Sequence, residues 1–278
     1  MKFSVLTSVY KNDAPGPFRD ALDSTINQTC PPDEIVLVRD GQVPAELQAV
    51  IDEYVSRYPE LFTYIPFEEN KGRGTVLRES VLQSRNDVLA IMDSDDLCLP
   101  DRFEKQISFL EKNPDIDIVG GNISEFVGEP SNVVDYRCVP ESHDEISRMI
   151  SSRSPFNNVT VMYKKEAVLK AGNYESFYLF EDWYFFIKMY LAGCKLANIN
   201  NVLCNVRIST MSSRRGGMKY YKSCKRLLKF MKKNKMIGFF KYMKIKTVRF
   251  IGYVLLPNKL RAFMYKKMLR KKTNNLEK

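Results

Sequence analysis

Over residues 1–120 the chain alternates between strand-like apolar runs and helix-like stretches, and this alternation limits its possible folds more than any other feature. Phe3–Val9 reads as a buried strand. Pro17–Thr25 carries Phe18 and Leu22, continued by Ile26, at helical spacing. Glu34–Val38 is a second strand, ending at Arg39-Asp40-Gly41, and Pro44–Tyr54 places Leu47, Val50, Ile51 and Tyr54 on one helical stripe. Phe62–Phe67, a helix over Thr75–Leu82 and the strand Val88–Met92 continue the pattern. Repeated strand–helix–strand units predict an α/β fold with a mostly parallel twisted sheet, right-handed crossovers and helices on both faces. A helix over Pro100–Asn113 and a strand over Ile116–Gly120 follow. Beyond these the pattern weakens: short extended pieces, a helix near Asp144–Ile150, a strand over Val159–Tyr163, helices over Lys165–Ala171 and from Glu181 to about Leu191, and a closing strand at Val202–Val206.

Ligands of open α/β sheets gather at the carboxyl ends of the strands. Tyr10, Asp40 and Asp93 all stand there. The fourth strand ends in Asp93-Ser94-Asp95-Asp96, three carboxylates within four residues. Such a cluster repels itself unless it is solvated or neutralised by a divalent cation, and Mg²⁺ or Mn²⁺ with a diphosphate suits its oxygen ligands. The alternative is an acidic turn capping the next helix, since Asp and Ser are ordinary cap residues.

The net charge of +10 is unevenly spread. Residues 1–213 hold 21 Lys/Arg and 32 Asp/Glu, whereas residues 214–278 hold 22 Lys/Arg and one acid, Glu277. This divides the chain into an acidic body, 1–213, and a basic amphipathic helical tail, 214–278. Within the body, the carboxylate-bearing strand ends make 1–120 the expected nucleotide-binding half and leave 121–213 as the expected acceptor-side half. The tail interleaves Lys and Arg with Phe239, Phe240, Tyr242, Phe250, Tyr253, Leu255, Leu256, Phe263 and Tyr265. Its longest uncharged stretch there, Phe250–Asn258, contains Pro257 and is too short to span a bilayer. The expected partner is therefore an anionic membrane surface, with helical packing against the acidic body as the alternative. A polyanion such as nucleic acid would also be attracted, but no recognised nucleic-acid motif accompanies the charge, and no nucleic acid is expected.

Six scattered cysteines with no zinc spacing read as reduced thiols. Met1-Lys2 leads directly into the first strand, so a cytoplasmic protein, peripherally associated with the inner face of the membrane, is expected. His143, the single histidine, sits at an expected helix start on the surface, which removes Ser-His and Cys-His nucleophiles unless it serves alone. Neither phosphate-loop spacing is present. Asn70-Lys71-Gly72-Arg73-Gly74 precedes a helix, so Arg73 or Arg78 can meet a phosphate, or the segment is an ordinary helix entry. Glu181-Asp182-Trp183 opens an apolar helix, where either acid can simply cap it. Arg207 follows the last strand and can bind a phosphate or a surface acid, and Ser212–Gly217 reads as a mobile basic loop.

Val5-Leu6-Thr7-Ser8-Val9-Tyr10, Asp40-Gly41, Asn70-Lys71-Gly72, Asp93-Ser94-Asp95-Asp96, Glu181-Asp182-Trp183 and Arg207 occur in the order seen in family 2 glycosyltransferases. The chain resembles bacterial enzymes of O-antigen, capsule and amylovoran-type exopolysaccharide assembly over about residues 1–213. Arg78 stands where that family often has Asn, and Ser8 where many members have Pro. The resemblance implies a GT-A fold and an inverting transfer from a nucleotide sugar, usually UDP-linked, to a hydroxyl of a lipid-linked or oligosaccharide acceptor. It implies that Ser8, Tyr10, Asp40, Arg73, Arg78, Asp93, Ser94 and Arg207 border the nucleotide sugar, and that Tyr10 and Asp40 hold the base. Asp95, with Asp93, would ligate Mn²⁺ or Mg²⁺, and Asp182 beside Glu181 would be the catalytic base. Such chemistry needs one carboxylate base and no protonating acid, because a diphosphate leaves readily once its charge is stabilised. A nucleotidyltransferase on a related sheet and a non-catalytic nucleotide-sugar-binding protein tethered to the membrane are the alternatives.

Overall fold

The computed structural model describes residues 1–208 and 216–256. β1 (Phe3–Val9), β2 (Glu34–Arg39), β3 (Phe62–Pro66) and β4 (Val88–Ile91) alternate with α1 (Pro15–Ile26), α2 (Ala45–Arg57) and α3 (Arg73–Gln83). β1 lies parallel between β2 and β4, and β3 pairs parallel with β2. Alternate residues feed two cores. Phe3, Val5 and Val9 of β1 pack with α1, α2 and the later helix α4 (Arg102–Lys112), while Leu6 turns to the opposite face. Both faces being covered is why these strands read as unbroken apolar runs.

The second half departs from simple repetition. After β5 (Leu97–Cys98) and α4 come β6 (Ile118–Phe126), β7 (Val133–Arg137), α5 (His143–Met149), β8 (Met162–Lys164), α6 (Lys165–Lys170), α7 (Glu181–Leu191) and β9 (Leu196–Arg207). The sheet order is β3-β2-β1-β4-β8-β6-β9-β5, with β7 pairing β6 beside that path. β8 is antiparallel to both neighbours, so the parallel half ends at β4. The strand expected over Val159–Tyr163 is shorter than its apolar run, because Asn158–Thr160 form a single 3₁₀ turn first.

β6 continues past Gly120, where the sequence pattern ended it. A Cβ at Gly120 would collide with Asn198 Oδ1 and sit 2.8 Å from the Phe156 ring, so these two buried side chains leave room only for glycine. β6 stays paired in parallel with β9 across this point, with register shifts around Asn122. β9 likewise begins six residues before the expected strand. α5 is capped by a reciprocal Ser142–Glu145 box, and His143 Nδ1 accepts from the Leu196 amide at 3.2 Å.

The two basic helices α8 (Gly217–Lys233) and α9 (Phe239–Phe250) pack on the body. Tyr220, Cys224, Leu227, Leu228 and Met231 of α8 share one core with Phe180, Trp183 and Tyr184. Positively charged side chains stack on rings here, among them Lys219 on Tyr178, Arg226 on Phe177, Lys232 on Phe239 and Arg249 on Trp183. Among the described residues no helix is long and apolar enough to cross a membrane. Ser212–Arg215 of the basic loop, and Pro257, Phe263 and Tyr265 of the tail, lie outside the described residues.

Candidate active site

Four strand ends and one helix start converge. At the end of β1, the Tyr10 amide donates to Asp13 Oδ2 at 3.0 Å and the Asp13 amide returns a bond to the Tyr10 carbonyl, closing a tight turn. Ser94 Oγ donates to the same Asp13 carboxylate at 2.9 Å. Asp13 thus joins the β1 loop to the acidic loop after β4. Burial, with repulsion from Asp95 and Asp93 added, pushes its carboxyl up to about 6 despite these bonds. Ser8 is half-buried in β1, opposite Val38.

At the end of β2, Asp40 is buried and accepts from Asn70 Nδ2 (2.9 Å), the Lys71 amide (2.7 Å) and the Gly72 amide (3.1 Å). Its carboxylate fixes the loop that delivers Arg73 to the first turn of α3. Gly41 makes room for this loop: its φ is +85°, and a Cβ would lie 2.8 Å from the Asn70 amide nitrogen. Gly74, one residue after Arg73, would collide with the Glu175 carbonyl at 2.5 Å if it carried a Cβ.

Arg73 links the two acidic segments. Its Nη2 lies 2.6 Å from Asp93 Oδ1, and its Nε lies 3.8 Å from Asp182 Oδ1 at the start of α7. Two acids eighty-nine positions apart in the chain therefore border one guanidinium. Arg78 is exposed and lies about 140° round α3 from Arg73, so the two do not share a face. Glu181, beside Asp182, has a buried Oε2 without a hydrogen-bond partner, and burial raises its pKa while Arg73 draws it down. Beneath Asp182 the hydroxyls of Tyr163 and Tyr174 approach to 3.5 Å, fully buried. Burial raises both pKa values, and the charge of Asp182 adds to the rise.

The far wall is β9. The Arg207 amide donates to Asp96 Oδ1 at 2.9 Å and its Nε to the Asp95 carbonyl at 3.2 Å. Its remaining nitrogens reach the Gly128 carbonyl (3.1 Å) and Asp20 Oδ2 (3.2 Å), and the guanidinium stacks on Phe126. Asp95 and Asp96 are both shifted upward, by burial first and by neighbouring carboxylates second. Below the loop, fully buried Arg102 donates to the Ile91 carbonyl at 2.8 Å and contacts the Cys98 and Cys204 sulfurs at 3.2 and 3.3 Å. Burial alone would raise the Cys98 thiol. A hydrogen bond from Cys204 and the Arg102 charge outweigh it and bring Cys98 down to about 6. One cation thus braces β4, β5 and β9, the strands on which the acidic loop stands.

The expected residues Ser8, Tyr10, Asp40, Arg73, Asp93, Ser94, Asp95, Glu181, Asp182 and Arg207 stand on strand ends, loops and a helix start at this one edge. Sequence reasoning missed Asp13, Asp20, Arg102, Tyr163 and Tyr174. Asp13 alone carried a local signal, as a carboxylate three residues past the end of β1. The others act through contacts that no local pattern announces. A shallow hollow of about 320 Å³, lined by Asp117, Glu166, Ala167, Lys170 and Cys194, lies at the opposite ends of β6 and β9 and takes no part.

Sequence comparison supplies the deciding observation: the profile described as glycosyl transferase family 2 matches residues 4–171. The chain belongs to glycosyl transferase family 2. As a family 2 glycosyltransferase it uses a nucleotide-sugar donor, and the nucleotidyltransferase alternative is set aside. An uncharacterized glycosyltransferase of Haemophilus influenzae is 40% identical over 272 residues, covering 98% of this chain and 100% of that protein. The amylovoran biosynthesis glycosyltransferase AmsE of Erwinia amylovora is 34% identical, covering 95% and 98% respectively. An Escherichia coli UDP-Gal:alpha-D-GlcNAc-diphosphoundecaprenol beta-1,3-galactosyltransferase is 35% identical, covering 97% of each chain. Among solved structures, the mannosyltransferase PcManGT of Pyrobaculum calidifontis, in complex with GDP-Man and Mn²⁺, superposes with a TM-score of 0.62. It is 16% identical and covers 94% of this family 2 glycosyltransferase and 71% of its own chain, a likeness of fold.

Proposed function

We propose that this enzyme is an inverting glycosyltransferase that moves a sugar from a UDP-linked donor to a hydroxyl of a lipid-linked acceptor in the assembly of a bacterial surface polysaccharide. The observation that carries this reading is the single guanidinium of Arg73 against both Asp93 and Asp182. It brings the acidic loop, where a diphosphate would be held, next to a carboxylate able to take a proton.

Asp182 is the base. It accepts the proton of the acceptor hydroxyl as the new bond forms at the anomeric carbon and the bond to the diphosphate breaks on the opposite side. Its position at the first turn of α7 favours the carboxylate, since the helix start carries positive partial charge. Tyr10 and Asp40 border the nucleobase of the donor, and Arg207, with Arg73, neutralises charge on the departing nucleoside diphosphate. The reading of the acceptor rests on the 35% identity to the E. coli enzyme, whose name specifies a diphosphoundecaprenol-linked sugar.

Asp95, with Asp93, would hold a divalent cation, Mn²⁺ or Mg²⁺. The donor set fits: these are hard oxygens, and Asp95 lies in a setting where burial and a neighbouring carboxylate oppose its charge, a penalty that a cation relieves. Among the described residues no three ligating side chains form a closed metal site, so diphosphate oxygens and water would complete the shell. Such a cation supplies stabilisation of the charge that develops on the leaving diphosphate.

The test is Asp182→Asn. Nucleotide-sugar affinity should stay within a few-fold of the native enzyme, while turnover falls on the order of 10²-fold or more. Native-like turnover in this variant would remove Asp182 from the mechanism.

A further inference from the structure

α9 has two faces of opposite character. Tyr242, Ile245 and Arg249 turn inward, with Tyr242 buried and Arg249 donating to the Ser152 carbonyl at 2.7 Å. The outward face carries Phe240, Met243, Val248 and, in the wider turn Ile251–Leu255 that follows, Ile251 and Leu255. Phe240 is 87% exposed, Val248 60% and Leu255 61%. Positions 240, 243, 244, 247, 248 and 251 fall within about 140° of the helix circumference, so this is one continuous stripe and not scattered exposure. Among the described residues nothing covers this apolar stripe, and an exposed stripe of this kind marks an interaction surface.

The charge around it selects the occupant. Between residues 216 and 256 there are twelve Lys/Arg and no Asp or Glu. Lys244 lies within the stripe, and exposed Lys232, Lys233, Lys235 and Lys241 are near it in sequence. A second copy of this surface would be repelled. An anionic bilayer supplies both what the stripe lacks, an apolar phase, and what the lysines attract.

We infer that the outward face of α9 is the membrane-docking surface, seated in the headgroup region of an anionic lipid bilayer with Phe240, Val248, Ile251 and Leu255 inserted. This deepens the proposed function and rests on its lipid-linked acceptor. The inner face of the same helix holds the Arg249 guanidinium 5.1 Å from the centre of the Trp183 ring, the residue after Asp182. The docking helix and the start of the catalytic helix are thus in direct contact, which sets the base at a fixed height above the lipid surface.

The experiment uses the full chain with the double substitution Phe240→Ser and Val248→Ser, and separately Lys235→Glu with Lys244→Glu. Both are exposed changes, and circular dichroism with thermal unfolding verifies the fold. Flotation with phosphatidylcholine vesicles, with and without phosphatidylglycerol, should show the native chain bound only when the anionic lipid is present. Each double variant should bind roughly tenfold or more weakly. Turnover on a water-soluble acceptor analogue should be unchanged in both. Loss of that turnover in the native chain would count against the proposed reaction, not against docking. Native chain that fails to float, a Phe240/Val248 variant that floats equally well, self-association blocked by the same substitutions, or equal retention of the variants by heparin and lipid would overturn the inference.

Discussion

Asp13 shows how a single carboxylate can take its meaning from partners that the local sequence does not reveal. Its folded pKa is raised from 3.8 to about 6, chiefly by burial. The sign follows from proton linkage: the folded state binds the extra proton between these values, so the stabilisation is full below about 3.8 and is lost as pH rises through about 6. The metal-free enzyme should therefore unfold at a lower temperature at pH 7.5 than at pH 5. Asp13→Asn should flatten that slope, because Asn stays neutral and keeps an acceptor for the Tyr10 amide. Thermal unfolding across this range, with a chelator present, checks it; an unaltered slope would assign the pH dependence to other groups. The position of the acidic loop itself was readable, since three acids follow directly after a buried apolar run. Asp13 was less so, because the bond that makes it part of the site comes from Ser94, eighty-one positions away.

At the scale of elements, the brace beneath the acidic loop decides how rigidly it is held. Cys98 and Cys204 stand opposite each other in the β5–β9 ladder, and Arg102 reaches both sulfurs from the first turn of α4. Cys98→Ala removes the group that balances a fully buried guanidinium, so it should destabilise by about 3–5 kcal/mol, the range for breaking a buried charge pair. Cys204→Ala, whose thiol is raised and neutral, should cost only the packing of a small side chain, about 1 kcal/mol. Denaturant unfolding of the two variants distinguishes these outcomes. Equal losses would mean that Cys98 carries no charge. Elements with strong periodicity were legible, α7 almost to the residue and α2 apart from its last turn, which runs on to Arg57. β6 was not, because Gly120-Gly121 looks like a strand end and only its pairing with β9 reveals otherwise. Likewise Asn158–Thr160 has strand-like composition, but the side chains of Asn157 and Thr160 bond the Gly121 backbone and hold a turn.

For the whole molecule, the charge boundary at residue 213 is not a structural boundary. Lys and Arg dominate the composition of α8, yet its buried stripe of Tyr220, Cys224, Leu227, Leu228 and Met231 completes the core over α7. A chain ending at residue 213 should uncover Phe180, Trp183 and Tyr184 and be recovered as aggregate or with a markedly lower melting temperature. A truncated chain that melts like the full one would show that α8 is dispensable. The sequence made the charge conspicuous and the helical spacing of the buried residues less so. Arrangement explains the difference, because lysines every three or four residues mask an apolar stripe in any average of hydropathy.

The guanidinium shared by Asp93 and Asp182 also has a kinetic corollary. While Arg73 is engaged by both acids, the base is partly masked and a hydroxyl arriving first meets a neutralised carboxylate. A polyphosphate arriving first competes for the same cation and unmasks it. Compulsory order of addition is the expected result, sugar nucleotide leading and alcohol following, and initial-velocity patterns with dead-end analogues of each substrate would reveal a random sequence if the shared cation has no such effect.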